Sequence, residues 1–177
     1  MKPSPTIVEP RHSDLCLLAE KWLRSKGCGV VFRDAFKASV DTGECPDAIG
    51  WRGGISALVE CKTSRGDFLA DKCKPFRVNP TIGMGDWRFY LCPPGVINVS
   101  DLPTGWGLLY AVSGKVRAVH GVPGNCAWRA EKPFDGAKLC ENQMLYSALR
   151  RVTIRGLRSH HHRSTGCRVM MGCKFRS

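Results

Sequence analysis

Several features are missing from this 177-residue chain, and each absence removes a class of function. There is no apolar run of the length, about 18 residues, that marks a membrane-crossing helix. The opening MKPSPTIVEPRHSD lacks the apolar segment of a secretory signal. A cytoplasmic protein without a membrane partner is therefore expected. Ten cysteines are present, yet no C-x-x-C pair occurs among them. Without a secretory signal they read as reduced thiols, and Cys16, Cys61 and Cys92 fall in apolar runs where a thiol behaves as a small hydrophobe. No internal repeat, P-loop or H-E-x-x-H pattern appears, and Gly83-Met84-Gly85 lacks the third glycine of a dinucleotide fingerprint.

Acidic residues are missing beyond Glu141, where eight of the 27 basic residues lie. The formal net charge of +12 is thus concentrated towards the C-terminus. Such an end on a modestly basic body points to a polyanion, most simply nucleic acid. A disordered solubilising end is the alternative. His160, His161 and His162 with Cys167 and Cys173 raise the question of zinc. Three adjacent imidazoles cannot easily face one tetrahedral ion, and the cysteine spacing is outside that of zinc fingers, so the segment reads as an exposed basic tail.

The chemistry is concentrated in PDAIGWRGGISALVECK, from Pro46 to Lys62. Gly53-Gly54 between two β-leaning runs predicts a two-residue hairpin with positive φ at both central positions. Arg52 then pairs with Ile55, and the same register sets Asp47 opposite Glu60. Lys62, two residues on, projects from the same face. Like charges directly opposed on a sheet repel, and a divalent cation would relieve them. Asp47, Glu60 and the backbone carbonyl of Cys61 form a hard oxygen donor set suited to Mg²⁺. Lys62 would orient or deprotonate a water, or neutralise a phosphate. The competing reading is a solvated sheet face on which Lys62 and Arg52 screen two acids.

Around this hairpin the chain reads as follows. Residues 1–12 form a proline-rich extended arm. Ser13 caps a helix ending near Gly27, and Cys28–Lys37 is a strand. On the helix, Glu20 either leans towards the hairpin acids or pairs with Arg24. Thr63 or Ser64 caps a helix from Arg65 to Cys73, with Pro75 just past its stop. Arg65, Lys72, Lys74 and Arg77 in and after this helix suit phosphate contacts that position a duplex, or else form a solvated face. Trp87–Cys92 is a strand, Gly107–Val112 and Lys115–Val122 form a second hairpin, and Lys138–Val152 is a closing helix. The predicted domain spans 13–152, and 153–177 is the basic tail.

This order of helix, strand, Pro-Asp hairpin, Glu60-Cys61-Lys62 and helix, over residues 13–112, resembles the PD-(D/E)XK nuclease superfamily. The stretch KTSRGDFLADKCKPFR with Gly83–Asp86 and Trp106–Tyr110 is similar to small phage and bacterial DNA-repair-like proteins grouped with MmcB. The resemblance implies an α/β (α+β) restriction-endonuclease-like αβββαβ core, with a mixed central sheet flanked by helices. It implies Asp47 and Glu60 as metal ligands, Lys62 as catalytic lysine and Glu20 as accessory acid. The expected activity is a Mg²⁺-dependent DNA endonuclease (Mn²⁺ substituting) in repair, recombination or phage DNA processing. A non-catalytic nucleic-acid-binding protein on the same fold and an RNA-processing nuclease are the alternatives. Many relatives are dimers, which makes a homodimer an open expectation.

Overall fold

The computed structural model describes residues 10–34, 36 and 38–164, with side chains through 155. Most of the expected N-terminal arm and the tail beyond 164, with Cys167 and Cys173, lie outside the described residues, as do the side chains at 160–162.

Local sequence sets the first elements. Helix α1 (His12–Ser25) begins two residues earlier than expected, because Arg11 rather than Ser13 is its N-cap. Asp14 reaches back to accept from the Arg11 backbone N–H at 3.2 Å, satisfying an end group that would otherwise lack a partner. Gly27, with φ +86°, provides the left-handed residue that ends the helix. Strand β1 is shorter than expected, Val30–Arg33. The predicted hairpin forms as β2 (Ala48–Arg52) and β3 (Ile55–Cys61). Gly53 and Gly54 both have positive φ, 52° and 85°, and Arg52 pairs with Ile55 through to Ala48 with Val59. That ladder, continued one step, sets Asp47 against Glu60.

Ser64 caps α2 (Arg65–Asp71), its hydroxyl accepting from Asp67 N–H at 3.2 Å. Pro75 does not merely follow a helix. It opens a second short one, α3 (Pro75–Val78), since a proline is tolerated where the N–H has no helical partner. Strand β4 (Trp87–Cys92) is followed by the hairpin β5 (Trp106–Val112) and β6 (Lys115–His120). After a single turn α4 (Ala127–Ala130), helix α5 runs from Lys138 to Ser164, about 40 Å at the usual rise. It thus continues into the segment expected to be tail.

The six strands form one sheet in the order β1-β2-β3-β4-β5-β6. The pairings β3·β4 and β4·β5 are parallel and the others antiparallel, so the protein is α+β with a six-stranded mixed sheet flanked by helices. Alternation along β3 distributes its side chains to two cores. Ile55, Ala57, Val59 and Cys61 meet Leu15, Ala19, Trp22 and Leu23 of α1. Leu58 on the other face joins Phe68, Tyr90, Leu108 and Met144. At roughly 1.5–3 kcal/mol per buried large aliphatic or aromatic side chain, these two layers hold β3 in the middle of the molecule. Gly107 lies beneath the Phe89 ring, where a β-carbon would overlap it. No disulfide joins the described cysteines. No helix among the described residues is long and apolar enough to cross a membrane.

Candidate active site

The burial of β3 has a consequence for its last residues. Alternation delivers Glu60, and Lys62 just beyond, to the same face as Leu58, and both are almost wholly buried (side chains 4% exposed). A buried carboxylate must find a partner or take up a proton. Glu60 finds two cations. Its Oε1 is 2.7 Å from Arg77 Nη2, and its Oε2 is 3.5 Å from Lys62 Nζ. Even so, burial dominates, and the nearby Asp47 and Asp71 add repulsion. The Glu60 pKa is pushed up to about 7 against the lowering pull of Arg77 and Lys62.

Lys62 lies among acids. Its Nζ is 3.3 Å from Asp71 Oδ1 and 3.8 Å from Asp67 Oδ1. Burial would lower its pKa, but Glu60, Asp71, Asp67 and Asp47 outweigh that and hold it above the ordinary lysine value. Lys62 is therefore an ammonium at neutral pH. Of the roles open to it, charge neutralisation and orientation fit this state, whereas proton abstraction does not.

Arg77 ties the cluster together. From α3 its guanidinium reaches Glu60, donates through Nε to Asp71 Oδ2 at 3.0 Å, and pairs through Nη1 with Glu44. Its flat face lies over Trp106, 4.9 Å from the ring centroid. Glu44 also accepts from Met84 N–H at 2.6 Å, and Asp71 from the Tyr90 hydroxyl at 3.0 Å. The expectation that Arg77 contacts a duplex is corrected here: its side chain is 2% exposed and paired with three acids inside the protein. Lys74 and Arg65 are about half exposed, but each has an acid partner, Asp71 and Asp101 respectively. Lys72 lies over the Phe68 ring at 4.8 Å.

Asp47 is held from two sides. Its Oδ2 accepts from the Cys61 backbone N–H at 2.8 Å, which stitches the start of β2 to the end of β3. Its Oδ1 is 3.2 Å from Nε2 of His12. His12 was not anticipated, because placing the helix start at Ser13 assigned it to the extended arm. The signal was available in the i, i+4 spacing of His12 and Cys16. Glu20, by contrast, is not brought to the hairpin acids. It lies two turns along α1 and is engaged by Arg33 at 2.8 Å and Arg24 at 3.0 Å. The i+4 pairing wins because the apolar stripe of α1, packed on the sheet, turns Glu20 to the β1 edge. There it borders a groove of about 490 Å³ with Arg33, Arg151, Arg155, Phe32 and Phe36, another feature with no sequence signal.

A second ionic cluster lies at the other end of β3. Asp86 Oδ2 accepts from Ser56 N–H at 2.8 Å and Lys138 Nζ at 2.6 Å, and its Oδ1 from Gly136 N–H at 3.1 Å. Glu141 accepts from Gly85 N–H at 3.0 Å, the Ser56 hydroxyl at 2.7 Å, Trp51 Nε1 at 3.2 Å and Lys138 at 3.1 Å. Although burial works against it, Asp86 is held below the usual carboxylate range by Lys138 and these amides.

No protein-family model matches the chain, and no curated protein matches it. Among solved structures, a protein of unknown function from Silicibacter pomeroyi is similar over 96% of this chain and 99% of its own, with a TM-score of 0.56. The two sequences are 22% identical, so the likeness is one of fold.

Proposed function

We propose that the chain is a metal-dependent nuclease of the PD-(D/E)XK type, with the αβββαβ core formed by α1 to β4 and with DNA as its substrate. The observation that carries this reading is the Asp47–Glu60–Lys62 constellation at the buried end of β3, in which a carboxylate is kept at a pKa of about 7 close to a second one. Perturbed carboxylates cluster at functional sites, where burial and a neighbouring like charge are arranged to shift them.

The donor set fits a hard divalent cation. Asp47, Glu60 and the Cys61 carbonyl are all oxygen ligands. In the connected cluster, the carboxylates of Glu44, Glu60, Asp67 and Asp71 face the cations Lys62, Lys74 and Arg77, and Asp47 adds to the negative charge around Glu60. When bound, Mg²⁺ would supply Lewis-acid stabilisation at the scissile phosphate. The protein's own groups prepare that step. Arg77 holds Glu60 in place from behind, the Cys61 amide fixes Asp47, and the Lys62 ammonium neutralises charge developing on the phosphate. Arg65, Lys72 and Lys74 would position the backbone of the nucleic acid.

The second reading, a non-catalytic nucleic-acid-binding protein, is favoured by one observation: Lys62 and Arg77 already occupy both oxygens of Glu60. The test is cleavage of plasmid, linear and branched DNA, and of matched RNA, with Mg²⁺ or Mn²⁺. Cutting lost in Asp47→Ala, in Lys62→Ala and on adding EDTA supports the nuclease. Activity retained by Asp47→Ala overturns it. Binding without cutting, indifferent to EDTA, establishes the second reading, and preferential RNA cleavage changes the substrate.

A further inference from the structure

Three side chains near the start of α1 converge without a role in the nuclease reading. His12 and Cys16 are one turn apart on the same helix face, and Asp34 follows β1. One ligand atom from each lies within 4.8 Å of the other two. Asp34 is set in place by its backbone, its N–H donating to the Asp47 carbonyl at 2.9 Å, which continues the sheet ladder one step beyond β1. Cys16 is fully buried.

His12 lies between Cys16 and Asp47. Its Nδ1 is 3.5 Å and its Nε2 3.9 Å from Cys16 Sγ, and Nε2 is 3.2 Å from Asp47 Oδ1. With metal bonds of about 2.3 Å to sulfur and about 2.0 Å to nitrogen, two ligands of one tetrahedral zinc ion lie about 3.5 Å apart. The Nδ1–Sγ pair already has that separation, and an Asp34 carboxylate oxygen lies within 4.8 Å of a ligand atom of each partner. A carboxylate beside the other nitrogen, as Asp47 is at 3.2 Å, is the kind of partner that metal-bound imidazoles characteristically have. It fixes the tautomer and raises the basicity of the ligating nitrogen.

We propose that His12 Nδ1, Cys16 Sγ and the Asp34 carboxylate form a binding site for a borderline transition-metal ion, zinc above all, with Asp47 as the outer carboxylate orienting His12. The nitrogen, sulfur and oxygen set selects zinc over magnesium. On binding, the Cys16 thiol forms a sulfur–zinc bond and releases its proton to solvent. Three protein ligands leave the fourth position open. The site does not depend on the nuclease reading, although Asp47 belongs to both. A metal here would tighten the hold of His12 on Asp47.

The test uses Co²⁺ as a spectroscopic stand-in for zinc. Full-length protein carrying His160→Ala, His161→Ala and His162→Ala, so that tail imidazoles do not compete, is kept reduced, stripped with chelator and titrated with Co²⁺. One ion per chain with a sulfur-to-cobalt charge-transfer band, abolished by equimolar Zn²⁺, is the expected result. Cys16→Ser removes the band. Asp47→Asn weakens affinity roughly 10- to 100-fold, as loss of an outer carboxylate does. His12→Ala, at a half-exposed side chain, leaves the fold intact by circular dichroism and lowers affinity by more than Asp47→Asn does. It decides the matter if Cys16→Ser fails to fold. No cobalt–sulfur band, or a band that survives His12→Ala unchanged, overturns the site. Neither readout involves cleavage, so a catalytically silent protein could still carry the metal, and an active nuclease could lack it.

Discussion

Strand β3 carries an ionic cluster at each end, and the two are built on opposite principles. At the Ser56 end, Asp86 and Glu141 are surrounded by backbone amides, a hydroxyl, an indole N–H and Lys138. Apart from Lys138 these donors are neutral groups fixed by the fold, and with Lys138 they hold Asp86 below the usual carboxylate range in spite of its burial. At the Glu60 end the partners are charged side chains, and further carboxylates crowd in. The result is a group whose pKa is raised to about 7 rather than lowered. The first cluster spends its interactions on joining α5 and β4 to β3. The second sets buried charges against one another, and under the proposed function it is where a divalent cation would bind.

The contrast can be broken most severely at Arg77. Arg77→Ala would leave Glu44, Glu60 and Asp71 buried without their shared cation, and a loss of about 3–5 kcal/mol is expected in urea unfolding. Asp86→Asn, at the other end, should cost about 3 kcal/mol, because two charge-assisted hydrogen bonds are weakened at once. Glu60→Gln should have the opposite sign. Raising a carboxylate from 4.5 to about 7 on folding corresponds to about 3 kcal/mol of destabilisation above that range. Removing the charge in metal-free protein at pH 8 should recover about 2 kcal/mol of it, since Arg77 loses one counter-charge. A Glu60→Gln variant no more stable than wild type at pH 8 would show that the two clusters are alike after all.

The pH dependence follows from the same difference. Between pH 4.5 and about 7 the folded state holds a proton on Glu60 that the unfolded chain has released. Metal-free stability therefore falls as pH rises through that window, and Glu60→Gln flattens the slope. Asp71, lowered in spite of burial by Arg77, Lys74 and Lys62, contributes in the opposite sense, its stabilisation being lost only in acid. Denaturation series at several pH values, with and without EDTA, measure both. The smallest effect is expected at Lys138, whose side chain is half exposed. Lys138→Met should cost about 1 kcal/mol or less, because the amides go on serving Asp86 and Glu141.

The hairpin was legible in the sequence because its register is a local matter: Gly53-Gly54 fixes the turn, and everything to Asp47 and Glu60 follows by counting. Strand β4 was readable for a similar reason, as six consecutive β-formers ended by Pro93-Pro94. What could not be read depended on packing between distant segments. Arg77 looks like any basic residue after a helix until α3 turns it under Trp106 and between three acids from separate parts of the chain. His12 was missed because the helix boundary lies two residues earlier, where cap geometry decides. Glu20 followed its near neighbour Arg24 because nothing in a helix repeat says which edge of the sheet it will meet.

The two-glycine turn has a further consequence, for how this protein can vary. Side chains alternate faces along a strand, so the turn acts as a ruler laid between Asp47 and Glu60. One residue inserted at Gly53-Gly54 would put the two acids on opposite faces of the sheet, whereas a matched extension of one residue in each strand lengthens the hairpin and keeps both arms in step. Neither Gly53 nor Gly54 is hemmed in by backbone, and a β-carbon at Gly53 would meet nothing within 4 Å. What constrains this length is therefore arithmetic rather than space, and changes in hairpin length should come in paired steps.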